Sequence, residues 1–195
     1  MARIEPLQAP FDPDVREQLT SMMPPGIEPI GLFRTFVKNM AMTRAMQPWG
    51  TYELSRELSV GLRDREIVID RTCARCGCEY EWGVHVAFFA ERAGLSRDQV
   101  ASLAHGFHHD PCWGTERDRL LMRLVDTLHD DSSLPDSLWD DLISEFDEAQ
   151  VLDLTMLCGW YHAISFTVRC AQVPLEAGAP TFSACSPPSS GQPTA

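Results

Sequence analysis

The chain has 195 residues, of which 44% are hydrophobic, and its formal net charge at pH 7 is −12. This length suits a single domain with a substantial core, and the composition is too apolar for a chain that is disordered throughout. A nucleic-acid groove or a protein surface for anionic membranes needs clustered lysine and arginine, which so acidic a chain does not favour. We therefore expect neither nucleic acid nor a membrane as a partner.

The N-terminus and the cysteine content both bear on the cellular compartment. The first residues lack the apolar stretch of a secretory signal, and no run of about 18 uninterrupted apolar residues follows. We therefore expect a cytoplasmic protein. There the seven cysteines should stay reduced unless a redox reaction oxidises them, and an odd number fits a fixed disulfide framework poorly.

The first part of the chain is predicted to be an arm followed by two helices. Six prolines near the N-terminus predict an extended arm over residues 1–28, with a short helix from Asp14 to Met22. An apolar stripe at helical spacing predicts a helix from Leu32 to Met46, which Pro48 ends. Another helix is expected at about 51–59.

The centre of the chain is predicted to form a helical hairpin. A helix with Asp64 in its first turn should end near Cys76-Gly77, because glycine favours a break. The partner helix then runs from Gly77 to about Ala93. Residues equally far from the turn come level when the two helices fold back on each other, so Glu66 should lie opposite His85.

The second half of the chain also has a helical pattern. Periodic apolar residues and capping signals predict helices at 96–104, at 116–129, after Pro135 and at 148–171. The last of these is apolar nearly all round, so we expect it at the centre of the fold or at an interface. No alternating pattern typical of a strand occurs. The sequence therefore predicts an all-α domain at residues 29–180 and a mobile tail at 181–195.

The residues most informative for function lie in the second helix of the hairpin. At about 100° per residue, Cys78, Glu81, Trp82 and His85 share one face of this helix, with Phe89 one turn further. A thiol, a carboxylate and an imidazole would thus lie together. The facing helix would add the carboxylate of Glu66.

Aromatic side chains near this face predict a small apolar pocket over Cys78. Its predicted lining is Trp82, Phe89 and Tyr161, although aromatic residues also serve simply as core or interface residues. The two glutamates, Glu66 and Glu81, should lie close enough to raise the pKa of one of them, which suits a proton donor.

Four short segments stand out as a set. They are Arg65-Glu66, Cys78-Glu-Tyr-Glu-Trp-Gly-Val-His85, Ala93-Gly-Leu-Ser96 and Val173-Pro-Leu-Glu176. Together they resemble the carboxymuconolactone decarboxylase superfamily, which includes the alkylhydroperoxidase D-like proteins, over about residues 30–178. The resemblance implies an alkylhydroperoxidase D-like (AhpD-like) helical bundle that is built around a helical hairpin and associates into homotrimers or hexamers.

Two branches of this superfamily imply different chemistry. In the peroxidase branch, a Cys-x-x-Cys-x-x-x-His motif with a preceding glutamate reduces a hydroperoxide, and Glu66, Cys78 and His85 match it. Glu81 stands where the second thiol would be. In the decarboxylase branch, a Glu-x-x-x-His pair without thiols resembles Glu81 and His85.

The leading prediction from the resemblance is a thiol-dependent peroxidase, an antioxidant oxidoreductase of the peroxiredoxin type. Cys78 would attack the hydroperoxide, Cys76 or Cys73 would resolve the sulfenic acid, and Glu66 and His85 would relay protons. The helix N-terminus lowers the pKa of the Cys78 thiol and nearby carboxylates raise it, so the sequence leaves the direction open. No dinucleotide fingerprint occurs, so we expect no bound cofactor and a thiol reductant as the electron source.

Two other functions stay open. The first is a decarboxylase or isomerase that acts on a small lactone or carboxylate, in which Glu81 and His85 move protons and the thiols take no part. The second is a non-catalytic oligomer. Substitution of Cys78 by serine separates the two enzymatic functions, because a thiol peroxidase loses activity and a proton-shuttling lyase keeps it.

Two sets of cysteines and histidines have the ligand types of a zinc site. The spacing of both sets is poor, because a structural zinc site usually takes two ligand pairs from separate turns. We therefore predict no metal centre. The two sets are Cys73, Cys76, Cys78 and His85, and His105, His108, His109 and Cys112.

Overall fold

The structure, a computed structural model, describes residues 2–185. Within this range the chain forms α-helices, two short 3₁₀ helices and no β-strand, so the all-α prediction is confirmed. The α-helices are α1 (Pro13–Ser21), α2 (Gly31–Phe36), α3 (Met40–Glu53), α4 (Leu62–Arg75), α5 (Glu79–Phe89), α6 (Arg97–His105), α7 (Glu116–Asp131), α8 (Asp136–Glu145) and α9 (Glu148–Ala171).

Helix α4 is the centre of the bundle, and α5, α6, α7 and α9 pack around it. Every residue from 64 to 73 is buried, and residues 67–69 have no exposed surface. A helix that is buried on all sides has no water for its polar side chains, so each of them needs a partner inside the protein.

Arg71 is a residue of α4 that has such partners. Its guanidinium lies 2.7 and 2.8 Å from the two carboxylate oxygens of Asp126 on α7. It also donates to the carbonyl oxygens of Leu103 and Gly106, at 3.0 and 3.1 Å, where α6 ends. One buried guanidinium therefore joins three helices and fixes the orientation of α4.

The predicted helical hairpin is present. Helix α4 ends at Arg75, and Gly77 adopts a positive φ of 63°, which costs glycine little because it has no Cβ. The chain then folds back, with the amide of Cys78 donating to the carbonyl oxygen of Cys73 at 2.8 Å. Helix α5 starts at Glu79 and lies against α4.

The predicted single helix from Leu32 to Met46 is wrong. Helix α2 ends at Phe36, a 3₁₀ turn covers Val37–Asn39, and α3 begins at Met40. The side chain of Asn39 caps the new helix by accepting a hydrogen bond from the amide of Met42 at 3.1 Å. An apolar stripe runs across this break, so periodicity alone did not reveal it.

The predicted helix end at Pro48 and the separate helix at 51–59 are also wrong, because α3 continues to Glu53. Pro48 removes one backbone hydrogen bond from the helix. The side-chain contacts of the next residue, Trp49, compensate for this loss. The indole of Trp49 donates to a carboxylate oxygen of Glu53 at 2.6 Å and packs 4.7 Å from the ring of Trp160. The tertiary contact with α9 thus holds the helix together across the proline.

Helix α9 has the predicted bounds and begins with a capping box formed by Asp147 and Gln150. By length and composition it could span a membrane, but the core helix of a soluble protein passes the same test. In its most apolar window, 44% of the residues are buried inside the protein. The cytoplasmic location stays a prediction.

The two ends of the described chain lie against the helical bundle. The N-terminal arm contains α1 at the predicted position, and the amides of Arg3 and Ile4 donate to the carbonyl oxygen of Ala171 at 2.8 and 3.1 Å. Of the predicted tail at 181–195, residues 183–185 form a 3₁₀ helix. Residues 186–195 lie outside the described residues.

A hydrogen-bond network ties the segment after α9 to the two helices beside the site. A carboxylate oxygen of Glu176 accepts from the phenol of Tyr80 on α5 and from the amide of Gly31 on α2, at 2.5 Å each. The phenol oxygen of Tyr80 in turn accepts from the amide of Leu32 at 2.9 Å. This network gives the Val173-to-Glu176 segment a structural role.

Candidate active site

A glutamate and a histidine from the two arms of the hairpin form a buried pair. Glu66 is on α4 and His85 is on α5, with exposed fractions of 0% and 3%. Oε2 of Glu66 lies 2.8 Å from Nδ1 of His85. The two residues therefore lie opposite each other, as their equal distances from the turn predict.

The second oxygen of Glu66 is held by its neighbour in sequence. The guanidinium of Arg65 lies 2.6 and 2.7 Å from Oε1 of Glu66, and it also stacks over the ring of Phe89 at 5.1 Å. Glu66 thus accepts from an imidazole on one side and from a guanidinium on the other, which fixes its carboxylate. Sequence reasoning missed this role of Arg65, although it adjoins Glu66 in the first of the four segments.

The other nitrogen of His85 faces two polar side chains. Nε2 lies 3.0 Å from the hydroxyl of Tyr161 on α9 and 3.7 Å from Oε1 of Glu81, one turn earlier on α5. The second carboxylate oxygen of Glu81 is buried and has no hydrogen-bond partner within the described chain. The ring of His85 therefore connects Glu66 to a phenol and to a carboxylate with an unpaired oxygen.

These surroundings favour the charged form of His85. Burial opposes a charge on the ring, but the attraction of Glu66, its hydrogen bond to the ring and the negative charge of nearby Glu81 outweigh it and raise the pKa of His85 to about 10. At neutral pH the ring is an imidazolium that donates from Nδ1 to Glu66. Its second proton, on Nε2, is then available for transfer.

Asp70 is a second buried acid in this region that sequence reasoning missed. It lies one turn after Glu66 on α4, with no exposed surface and no hydrogen-bond partner for either oxygen within the described chain. Burial and the charge of Glu66 raise the pKa of Asp70 well above its usual value, whereas His85 lowers it. Asp70 is therefore a buried carboxyl group with a raised pKa close to the Glu66–His85 pair. Because residues four apart lie on the same face of a helix, the spacing between Glu66 and Asp70 could have indicated that Asp70 also lies near the site.

A mostly apolar cavity of about 490 Å³ reaches the polar group around His85. Glu81, His85 and Tyr161 lie in its wall, and Phe89 lines it as predicted. No lysine or arginine of the described chain is among the lining residues. The apolar part of the wall includes Met22, Met23, Ile30, Leu32, Phe33, Phe36, Met46, Val84, Phe88, Trp160 and Ile164.

Comparison with known protein families gives a match, which covers a central segment of the chain. Residues 41–108 match the carboxymuconolactone decarboxylase family. This segment of the chain is therefore similar to that family. The match confirms the resemblance predicted from the sequence, and it includes Glu66, Glu81 and His85. A comparison with curated proteins finds no significant match.

The peroxidase and the decarboxylase alternatives differ in whether a thiol reacts, so the position of the cysteines matters. Cys73, Cys76 and Cys78 are all buried and unbridged, and none of them lines the cavity. Burial raises the pKa of the Cys78 thiol to about 11, which overcomes the hydrogen bond from the backbone of Glu81. This resolves the direction that the sequence left open.

Trp82 does not line the cavity, contrary to its predicted place in a pocket over Cys78. Its side chain is fully buried, and its ring packs 5.0 Å from the ring of Phe182. The helix turns Trp82 toward the C-terminal segment, while Phe89 and Tyr161 face the cavity. Helical spacing groups residues within about 100° of arc, which is too coarse to separate these two directions.

Neither of the two zinc sets considered from the sequence converges in the described residues. Cysteine and histidine side chains do come together at a different place, which combines Cys76 with His129 and His162. The two histidines lie on α7 and α9, so no local spacing could have indicated them.

Proposed function

We propose that this protein catalyses proton transfer on a small, mostly apolar carbonyl compound, as an isomerase or decarboxylase of lactones or related acids. The observation that carries the proposal is the composition of the cavity wall. Glu81, His85 and Tyr161 reach the cavity, whereas the three clustered thiols do not. This supports the proton-transfer alternative over the thiol peroxidase that the sequence favoured.

The acid in this mechanism is the imidazolium of His85. Glu66 holds Nδ1, so the proton on Nε2 points to the hydroxyl oxygen of Tyr161 at 3.0 Å. The phenol proton of Tyr161 is then free to bind the carbonyl oxygen of a substrate. As negative charge develops on that oxygen, the imidazolium and the phenol stabilise it in a cavity of low polarity.

The base is Glu81, whose second oxygen has no partner within the described chain. In an isomerisation, this carboxylate takes a proton from the carbon next to the carbonyl group, and the electron pair of the C–H bond moves into the enolate. The proton then returns to a different carbon. In a decarboxylation, the bond to the substrate's carboxylate breaks and CO₂ leaves, the electron pair of that bond forms the enolate, and the proton on His85 or Tyr161 is delivered to the enolate carbon.

The cavity indicates the chemical class of the substrate. A volume of about 490 Å³ suits a small molecule, and the lining is predominantly apolar. With no lysine or arginine in the described wall, a substrate with several carboxylates would lack cationic partners other than the imidazolium. We therefore expect a substrate with one carbonyl group, at most one carboxylate and an apolar remainder.

A hydrogen-exchange experiment tests the proposal without knowledge of the product. The protein is incubated in D₂O with a panel of simple γ- and δ-lactones, and NMR follows deuterium at the carbon next to the carbonyl group. We expect exchange with the wild type and with Cys78→Ser, and at least about a 100-fold slower exchange with Glu81→Gln. Exchange that is lost in Cys78→Ser and kept in Glu81→Gln would contradict the proposal.

Thiol peroxidase activity is the second candidate, because three buried cysteines lie within six residues at the hairpin turn. The thiolate of Cys78 would attack the hydroperoxide and release an alcohol, leaving a sulfenic acid. The thiol of Cys76 or Cys73 would then displace water to form a disulfide, which an external thiol reduces. Mass spectrometry after treatment with a hydroperoxide tests this reaction. A disulfide that includes Cys78 supports the peroxidase, and an unmodified Cys78 argues against it.

A further inference from the structure

Three side chains from different helices converge away from the acid–base cavity. Cys76 follows the end of α4, His129 lies in the last turn of α7, and His162 lies within α9. The sulfur of Cys76 and one ring nitrogen of each histidine all lie within 4.8 Å of one another. None of the three residues lines the cavity. The cluster is therefore separate from the residues of the proposed function.

The ring of His162 is already oriented by a second partner. Its Nδ1 lies 2.8 Å from the carbonyl oxygen of Cys158, so Nδ1 carries a proton and donates it. In the neutral ring, Nε2 then has a lone pair that points to His129, whose Nδ1 lies 2.9 Å away. A histidine that donates from one nitrogen to a backbone carbonyl and offers the other is typical of metal sites.

The distances suit a tetrahedral ion after small side-chain rotations. With bonds of about 2.3 Å to sulfur and about 2.0 Å to nitrogen, ligand atoms lie about 3.3 to 3.6 Å apart. The two histidine nitrogens, at 2.9 Å, need to separate by a few tenths of an ångström, and the sulfur needs to approach. Both histidines are partly exposed, which allows the rings to turn and water to enter.

Charges of both signs lie around the cluster. Arg75 directly precedes Cys76 in the sequence. Its guanidinium forms ion pairs with Asp130 at 2.5 Å and with Asp126 at 3.6 Å. Arg169 donates to the carbonyl oxygen of Cys76 at 2.6 Å, which places a positive charge beside the thiol. The positive charges of Arg75 and Arg169 oppose a bound cation, and the two aspartates that pair with Arg75 partly offset its charge.

We propose that Cys76, His129 and His162 bind one Zn²⁺ ion, with water as the fourth ligand. One thiolate and two imidazoles are ligands that this borderline-soft ion prefers, and three protein ligands leave one position open. The ion joins the C-terminal ends of α4 and α7 to α9. Binding therefore stabilises the folded chain, because the unfolded chain does not present the three ligands together.

A metal titration of the full chain, purified without an affinity tag and kept reduced, tests this proposal. After removal of metal, the protein is titrated with Zn²⁺ in competition with a chromogenic chelator, and Co²⁺ serves as a spectroscopic probe. We expect one equivalent of each ion, a thiolate-to-Co²⁺ charge-transfer band and a higher Tm with Zn²⁺. In Cys76→Ser the charge-transfer band should disappear.

Histidine variants locate the ion. We expect His129→Gln and His162→Gln to weaken Zn²⁺ binding by at least about 10-fold, with circular dichroism showing that both variants fold. The matched control is His109→Ala/Cys112→Ser, which removes two residues of the loop set considered from the sequence and should leave the affinity unchanged. Unchanged affinity in both glutamine variants, loss of affinity in the control, or the absence of a stoichiometric Zn²⁺ complex in the wild type would overturn the proposal.

Discussion

The carboxylate of Glu66 holds the Nδ1 side of His85 at 2.8 Å, which leaves Nε2 as the ring nitrogen that faces Tyr161. Glu66, His85 and Tyr161 are all buried, so both hydrogen bonds are shielded from bulk solvent. The pair therefore fixes both the orientation and the charge of the ring.

Removal of the phenol hydroxyl of Tyr161 should slow catalysis more than it weakens binding. In Tyr161→Phe the proton on Nε2 of His85 no longer reaches the substrate through a hydroxyl, and the developing oxyanion loses a donor. For any lactone or acid turned over, we expect kcat to fall by about 10²- to 10³-fold with little change in KM. Steady-state kinetics measure this effect, with Cys78→Ser as the control that keeps wild-type kcat. A fall confined to KM would assign Tyr161 to substrate binding only.

The charge of His85 should make stability depend on pH in a defined direction. The pKa of His85 is about 10 in the folded chain and about 6.5 when the chain unfolds. Between these values the folded state binds the extra proton, so the free energy of unfolding falls as pH rises. The stabilisation is fully present below about pH 6.5 and is lost as pH passes about 10, with a slope of at most about 1.4 kcal/mol per pH unit.

Urea unfolding at several pH values from 6 to 10 measures this slope. The charged and titratable groups that face His85 are Arg65, Glu66 and Asp70 on α4, Glu81 on α5 and Tyr161 on α9. The variant His85→Gln cannot be protonated and should lose this contribution to the slope. Equal slopes for the wild type and His85→Gln would show that the folded state does not hold the extra proton on this ring.

Asp70 should make a separate contribution to the pH dependence. Burial and the neighbouring charge of Glu66 raise the pKa of Asp70 in the folded chain well above its usual value. The unfolded chain releases this proton near pH 4 and the folded chain retains it, so folding becomes less favourable as pH rises above that point. Asp70→Asn carries no titrating proton. Its stability relative to the wild type should therefore increase with pH.

Chemical unfolding of both proteins at pH 5 and pH 8 measures this change. Asp70→Ala is the matched variant, because it also removes the titrating group but leaves a small cavity, so it should show the same pH trend at a lower overall stability. The comparison between two pH values cancels the packing cost of each substitution. A stability difference that is constant with pH would mean that Asp70 ionises normally in the folded chain.

The sequence predicted the parts of the fold that depend on local signals. The break at Cys76-Gly77, the capping residues and the bounds of α9 follow from residues within a few positions of one another. The Glu66–His85 pair could be predicted for the same reason, since a hairpin relates its arms by distance from the turn. Helix α3 could not, because contacts of Trp49 with distant Trp160 hold it across Pro48.

The site was predictable only in part. Glu81, His85, Phe89 and Tyr161 were named from the sequence, and all four line the cavity. Packing between helices decides three other features of the site. It turns the Trp82 side chain away from the cavity, buries the thiols outside the cavity wall and leaves the Asp70 carboxyl group without a hydrogen-bond partner in the described chain. Side chains that meet only through tertiary structure, such as those of His129 and His162, leave no pattern in a single sequence.

An exposed apolar stripe on α9 bears on the predicted homotrimer or hexamer, which stays a prediction. Leu152, Met156 and Phe166 are 66%, 49% and 59% exposed, and at helical spacing they lie on one side of the helix. Between them lie Gly159 and Ala163, whose small side chains permit close approach of another helix, and Gly159 has open space around it. We expect this stripe to pack against a second copy of the chain.

Charged substitutions within the stripe test this association. Met156→Glu or Phe166→Glu would place carboxylates in a buried apolar interface, which costs several kcal/mol per unpaired charge after relaxation. Light scattering coupled to gel filtration should therefore show a smaller assembly for both variants than for the wild type. Phe107→Glu is the matched control, because Phe107 is 58% exposed but lies in the loop after α6, and it should keep the wild-type mass. A wild-type mass for both α9 variants would place any interface elsewhere on the bundle.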